Sequence, residues 1–378
     1  MTGRVMVVGA GPGGLASAIA LRRAGYDAVV YERAPSLKRA GSGLTLWPNG
    51  LAALDLIGAG DRVRARALAS PGTAMRAHTG RTLSELSGPA MDSVGGRGVA
   101  IHRAELLRAL ADALGTDSIR FDAECVDVRT EDGHAIAAFA GGREDRADLV
   151  VGADGIRSQV RAAAGIPARL KDAGFTVWRA TIRFPLPPMP GLLSLGGPRQ
   201  FGIWALPGDR VYWFAAEPAV AGSRPSRPSA EFVRWHEPIP NLLASTATGD
   251  ITVTDIHDGT PLRSWSAGRT VLVGDAAHPS LPTLGQGTSQ AFEDAVVLAH
   301  CLRSTAEVPE ALRRYQAGRE RRALAAWSQA RTLARLGGWR NPVLCRLREV
   351  LIGAVPERTQ LRRLGELFSL AGGGSGGN

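Results

Sequence analysis

Three glycines and one acid define the first chemistry in this chain. Residues 5–14 read VMVVGAGPGG, so Gly9, Gly11 and Gly14 fall in a G-x-G-x-x-G spacing directly after an apolar run, with Pro12 and Gly13 completing the turn. The first glycine permits a tight turn, the second lets backbone approach a pyrophosphate, and the third lets a helix pack closely on a strand. Phosphate then meets free N–H groups at the positive end of that helix. Glu32 follows eighteen residues after Gly14, placed to accept hydrogen bonds from ribose hydroxyls. Arg33 beside it either covers an adenine or faces solvent.

A second chemical segment comes late, where residues 271–294 read VLVGDAAHPSLPTLGQGTSQAFED. Asp275 ends a buried apolar run, and Gly285 and Gly287 precede a helix whose first N–H groups lack intrahelical partners. Between the two segments, Asp154-Gly155 closes a third apolar run. A plain NAD domain has no need of so long a return. A cofactor held lengthwise, as FAD is, does.

The elements that must position these residues follow from periodicity and punctuation. Residues 4–8, 15–24 and 26–31 read as strand, helix and strand, one βαβ unit with short loops. Residues 41–60 open as a glycine-rich loop and become a helix with Pro48 near its start. Residues 103–114 form an amphipathic helix, and 148–152 another buried strand. Alternating strands separated by Pro- and Gly-rich turns near 175–184, 201–206 and 210–216 predict an antiparallel sheet. A helix is expected over 287–303, and mostly helix over 307–365. The expected fold is α/β: a Rossmann-like FAD-binding domain of the GR2 flavoprotein type, an antiparallel substrate sheet and a C-terminal helical segment. The division is 1–174 and 266–306 for cofactor binding, 175–265 for substrate, 307–370 for the helices, and 371–378 for a flexible glycine-rich tail.

Three anchors in this order resemble the FAD-dependent, single-component aromatic hydroxylases of the para-hydroxybenzoate-hydroxylase-like type. They are the glycine turn through Glu32, the segment from Val151 to Arg161 around Asp154-Gly155, and Gly274-Asp275 through His278-Pro279, Pro282 and Gly285-Gln286-Gly287. The loop Gly41–Asn49 is similar to the mobile flavin loop of the 3-hydroxybenzoate 6-hydroxylase and FAD-dependent urate hydroxylase branch. The resemblance implies that Asp275 accepts a ribityl hydroxyl, that Asp154 supports the FAD region, and that Arg103 reaches phosphate or ribityl. It also implies that Gly43, Pro282, Gly285, Gly287, Thr288 and Ser289 approach the flavin, although the family often has Asn where this chain has Thr288 and Ser289. The implied reaction uses NADH or NADPH as transient reductant and O2 as co-substrate. A flavin C4a-hydroperoxide then hydroxylates an aromatic or electron-rich small molecule. Neighbouring chemistries are epoxidation, oxidative rearrangement of a specialised metabolite, and FAD-dependent reduction of an isoprenoid chain.

The substrate side rests on residue type alone. Arg179 suits a carboxylate or phenolate, and Tyr212 and His257 a proton path. Trp47, Asn49, Trp204 and Trp213 are candidates to touch the substrate. His278 reads as local loop structure. With 44% apolar and 21% charged residues the chain has an ordinary globular balance. Cys125, Cys301 and Cys345 are isolated and odd in number, which predicts neither a disulfide framework nor a zinc site, and the cytoplasm is the default compartment. No apolar run is long enough for a membrane span. Net charge is +10, and thirteen arginines against three glutamates fall in residues 311–363. No nucleic-acid recognition motif accompanies them, so no nucleic-acid partner is expected; an anionic partner, substrate or lipid surface accounts for them equally well, and peripheral contact by this basic region is one of these readings. The chain is expected to be a monomer or homodimer, with no bound metal.

Overall fold

The apolar run after Gly3 forms β1 (Arg4–Val8), whose last four residues are buried. The chain turns through the glycines into α1 (Pro12–Arg23) and returns as β2 (Asp27–Tyr31), parallel to β1. Proline at the first helical position loses no hydrogen bond there, and Arg22 and Arg23 complement the negative end of the helix. The computed structural model describes residues 3–37, 41–219 and 223–369. The glycine-rich tail 371–378, expected to be flexible, lies outside them.

Next come β3 (Gly43–Leu46) and α2 (Pro48–Leu56), then β4 (Gly72–Ala77) and β5 (Thr82–Ser87). β6 (Val99–His102) pairs antiparallel with β3 and leads into α3 (Arg103–Leu114). β7 (Leu149–Gly152) lies parallel to β1 on the side opposite β2 and is followed by the short α4 (Gln159–Ala163). The strand order therefore reverses at β1. In open α/β sheets the ligand crevice lies outside the carboxyl ends of the strands at such a switch point, here at Gly9.

Alternation over the next hundred residues gives β8 (Leu170–Arg183), β9 (Gly191–Gly196), β10 (Arg199–Leu206), β11 (Arg210–Pro218) and β12 (Thr252–Gly259). These strands join β4 and β5 in one seven-stranded sheet of order β12-β8-β11-β10-β9-β4-β5. All its pairings are antiparallel except β9 with β4. The substrate sheet thus begins at Leu170 and takes in residues 72–87, which the sequence division had placed with the cofactor. Successive side chains point to opposite faces. One face carries Trp178, Phe201, Ile203 and Trp213 and packs under Phe232, Trp235 and Ile239. The other faces the cofactor layer.

The return strand β13 (Thr270–Leu272) pairs parallel with β7 and restores the first sheet. After it α5 (Gly287–Ser304) packs on α1 and α2. Ala291 lies against the backbone of Gly13, where a β-carbon would come within 3.0 Å. The chain ends in α6 (Val308–Gly337), α7 (Pro342–Ala354) and α8 (Glu357–Phe368). α8 returns to the cofactor layer, where Phe368 stacks on Trp47 at 5.4 Å.

Candidate functional site

The glycines of the first turn do different work. A β-carbon on Gly14 would sit 1.9 Å from the carbonyl oxygen of Gly9, and one on Gly9 would sit 2.6 Å from that of Ala153. These two glycines are demanded by packing. At Gly11 a β-carbon would meet nothing within 4 Å. That open space lies at the N-terminus of α1, whose first turn has no side-chain cap, and it is the shape a diphosphate requires. Glu32 is held at the turn because its Oε2 accepts from the Ala10 N–H at 2.8 Å and its Oε1 from the Ala34 N–H at 3.0 Å. A carboxylate has about four acceptor positions, so capacity for ribose hydroxyls remains. Arg33 is exposed.

Asp154 is otherwise engaged. Its carboxylate accepts from the Ser158 hydroxyl and the Gln159 and Val160 N–H groups. It caps α4, so its contribution to a cofactor site is to shape the turn. Arg161, which sequence reasoning passed over, is buried and donates to the carbonyls of Ile156 and Ala276. It ties this turn to the return segment.

The return segment supplies the complementary half. Asp275 opens toward the cleft while protein walls it on its other sides. Burial pushes its carboxyl up, and His278 and Arg103 pull against that rise. Burial likewise pushes the Arg103 guanidinium down, opposed by Asp275. Among the described residues neither side chain makes a hydrogen bond. An acid and a base facing one cleft without partners suit a polyol arm and a phosphate. Pro282 and Gly285 are exposed beside them, and Gly285 takes a left-handed conformation at φ 65°. α5 then starts without a side-chain cap, presenting free N–H groups from Gly287 and the half-buried Thr288. Ser289 does not join them. It is fully buried, and its Oγ would lie 2.4 Å from a β-carbon on Gly50. It serves the close contact of α5 with α2.

Beneath α5 lies a buried ionic network that sequence reasoning missed. Arg319 has no exposed surface. It donates to Asp294 at 2.7 Å, to Glu293 at 2.5 Å, and to the side chain and carbonyl of Gln290. Asp294 also accepts from the N–H of Gly274 at 2.8 Å and lies 2.6 Å from His278 Nε2. Burial alone would raise the Asp294 carboxyl, but the charges of His278 and Arg319 prevail and hold it well below the usual carboxylate range. Glu293 accepts from Arg322 and from Asn49. Asn49 was expected at substrate or flavin. It is instead fully buried, donating to Gln286 at 2.8 Å and Glu293 at 2.7 Å. One signal was present in the sequence. Leu312, Tyr315, Arg319, Ala323, Ala326 and Ala330 fall at helical spacing on one buried face of α6, and an arginine in such a stripe requires buried acids.

The inner face of the large sheet forms an aromatic wall. Trp204 stacks against Phe214 at 5.7 Å and Tyr212 at 6.1 Å. Gly43 is needed here, since a β-carbon on it would fall 2.5 Å from the Tyr212 side chain. The Tyr212 hydroxyl lies near Arg179 and Ser42. Burial pushes this phenol up, and Arg179 opposes the shift. Trp213 is not part of the wall. It points to the other face, fully buried, with its indole N–H donated to Thr246 at 3.0 Å. Nor do Tyr212 and His257 share a proton path. On β8 their register partners are Thr181 and Asp172, nine residues apart with an irregular register between Asp172 and Thr176, which at about 3.3 Å per residue places them roughly 25–30 Å apart. Trp47 is half-buried between Phe368 and Gly285, and its indole N–H has no partner among the described residues.

Comparison with known proteins bears on this arrangement. A family model described as FAD binding domain matches residues 2–330. The chain is 38% identical over 361 residues to the aurachin C monooxygenase/isomerase of Stigmatella aurantiaca, covering 92% of this chain and 93% of that protein. It is 33% identical to the 2-heptyl-3-hydroxy-4(1H)-quinolone synthase of Pseudomonas aeruginosa, covering 97% and 98%. Among solved structures, the crystal structure of Klebsiella pneumoniae HpxO complexed with FAD and uric acid superposes with a TM-score of 0.89 at 27% identity, covering 97% of this chain and 96% of that one.

Proposed function

The chain belongs to the FAD binding domain family of flavoprotein monooxygenases, and from that premise we propose that it oxygenates a fused-ring, electron-rich heteroaromatic of the quinolone type, with NADH or NADPH as reductant. It is an FAD-dependent monooxygenase of aromatic or electron-rich small molecules. FAD, when bound, supplies hydride acceptance and oxygen activation. Gly11 and the α1 terminus would hold its diphosphate, Glu32 its adenosine ribose, and Asp275 with Arg103 its ribityl arm and phosphate. The free N–H groups of Gly287 and Thr288 would stabilise negative charge at the ring.

The observation that carries the substrate class is the wall of Trp204, Tyr212 and Phe214 with one guanidinium, Arg179, at the Tyr212 hydroxyl. Stacked rings bind a flat, largely apolar body. A cation beside a phenol stabilises an enolate or phenolate oxygen, which makes the adjoining ring carbon more nucleophilic. Two similar proteins bear names that refer to aurachin C and to an alkyl-quinolone, which supports the same class. Urate is the second reading, supported by the likeness to the HpxO complex. Uric acid is smaller and far more polar than this wall favours.

The test compares 2-alkyl-4-quinolones, simple hydroxybenzoates and urate. The expected result is substrate-dependent NAD(P)H oxidation with one oxygen atom added, fastest with the quinolones. Faster turnover of urate, or oxidation of the reductant without oxygen transfer to any quinolone, would overturn the assignment.

A further inference from the structure

α7 shows large apolar side chains to solvent while burying charge. Its inward side is mixed, with Cys345 buried and Ile352 packed against Ala77, Leu83 and Leu195, and it carries two buried charges. Arg348 is buried and donates to the carbonyls of Leu336, Gly337 and Gly197, and buried Glu349 accepts from Arg81 at 2.6 Å. Its outward side is apolar, with Val343 74% exposed, Leu351 55%, Val350 53%, Leu347 47% and Leu344 40%. These positions recur at helical spacing, so five large side chains share about two turns of one face. A contiguous apolar patch of that kind, on the scale of about 300–600 Å², marks an interaction surface on most proteins that show one.

The surroundings are cationic. Exposed Arg335 and Arg340 precede the helix, Arg346 lies within it, and exposed Arg358, Arg362 and Arg363 follow it. Glu357 and Glu366 are the exposed acids of that stretch. Among the described residues no helix is long and apolar enough to cross a membrane.

We propose that the outward face of α7 docks this enzyme on an anionic lipid surface. An apolar helix face with arginines at its margins is the pattern that lies in the interface plane, leucines among the acyl chains and guanidinium groups among the lipid phosphates. Self-association through the same face would bring two arginine-rich margins together, which like-charge repulsion opposes. The apolar side of the helix has no other occupant among the described residues. The proposal is independent of the substrate reading, because docking is measured without turnover.

The experiment is flotation of the FAD-loaded full chain with vesicles of phosphatidylcholine alone or mixed with phosphatidylglycerol. The expected result is binding to the mixed vesicles only, weakened by high salt. Leu347→Gln combined with Leu351→Gln should lower the partition at least about tenfold. Arg340→Gln and Arg358→Gln should each lower it about fivefold. Because all four side chains are exposed, activity on a water-soluble substrate without vesicles should stay at the parent level. No preference for the anionic vesicles, or a dimer in solution that the double leucine variant dissolves, would overturn the proposal.

Discussion

Replacing Gly11 with valine separates the cofactor site from the fold that builds it. No atom beyond its own chain neighbours lies within 4 Å of the added β-carbon. The residue has extended backbone, φ −72° and ψ 174°, which a β-branched side chain adopts readily. The apoprotein should therefore fold and melt within about 2 °C of the parent, as surface changes usually allow. FAD should suffer instead, because the side chain fills the space its diphosphate would enter. Losing two hydrogen bonds from backbone N–H groups to charged phosphate oxygens, at about 1.5–3 kcal/mol each, removes about 3–6 kcal/mol, or roughly 10²–10⁴ in Kd. Quenching of flavin fluorescence during titration of the apoprotein reads this directly. Gly14→Ala is the contrasting control. Its β-carbon would lie 1.9 Å from a backbone oxygen, so that variant should lose folded protein. A Kd for Gly11→Val within threefold of the parent would refute the placement of the diphosphate.

Asp275→Ala should weaken FAD about 10–100-fold, the worth of one hydrogen bond to a charged group; an unchanged Kd would remove the ribityl role. Arg319→Met leaves Glu293 and Asp294 buried with fewer cations, at a cost of about 3–5 kcal/mol. Calorimetry should show a fall in Tm of about 4–6 °C. The pH dependence of that deficit has a definite sign. Because the folded Asp294 carboxyl is held low, its stabilisation is present above the unfolded value of about 3.9 and is lost as pH falls through the folded value. The variant's carboxyl is less depressed, so its deficit should be fullest at neutral pH and narrow on acidification; a constant or widening deficit would count against the network. Arg179→Met should raise KM for an enolisable quinolone about 10–100-fold while leaving FAD affinity unchanged, and equal KM values would disconnect Arg179 from substrate.

What the sequence revealed and what it hid divide along physical lines. The turn through Gly9 and Gly14 was legible because backbone conformation and close packing restrict which residues can stand there, whereas Asp275 and Arg103 were singled out by the family resemblance, and the fold sets their charges within reach of each other. Trp213 misled because its type was weighed above its phase. Tyr212 and Phe214 share one face of β11, so the tryptophan between them must face away. Ser289 misled in the same manner, for a polar residue in a first helical turn can face the neighbouring helix as readily as the cleft. Asn49 was hidden for a different reason, since its partners Gln286 and Glu293 lie more than two hundred residues further on and only the folded chain brings them together.

Buried charge is costly, and well-packed apolar residues in its place are often neutral or stabilising. Its presence under α5 therefore calls for a reason other than stability. Glu293 and Asp294 are consecutive, so on a helix their side chains leave about 100° apart. Asp294 reaches the return turn at Gly274 and His278, one residue from Asp275. Glu293 reaches the flavin-loop residue Asn49 and, through Arg322, the last turn of α8 at Leu367. Phe368 then closes the circuit by stacking on Trp47 of that same loop. Directional bonds to charged groups fix relative position in a way that interchangeable apolar contacts do not. The network holds in register three segments from distant parts of the chain, the return turn, the Gly41–Asn49 loop and the last turn of α8, and it ties the C-terminal helices to the other two.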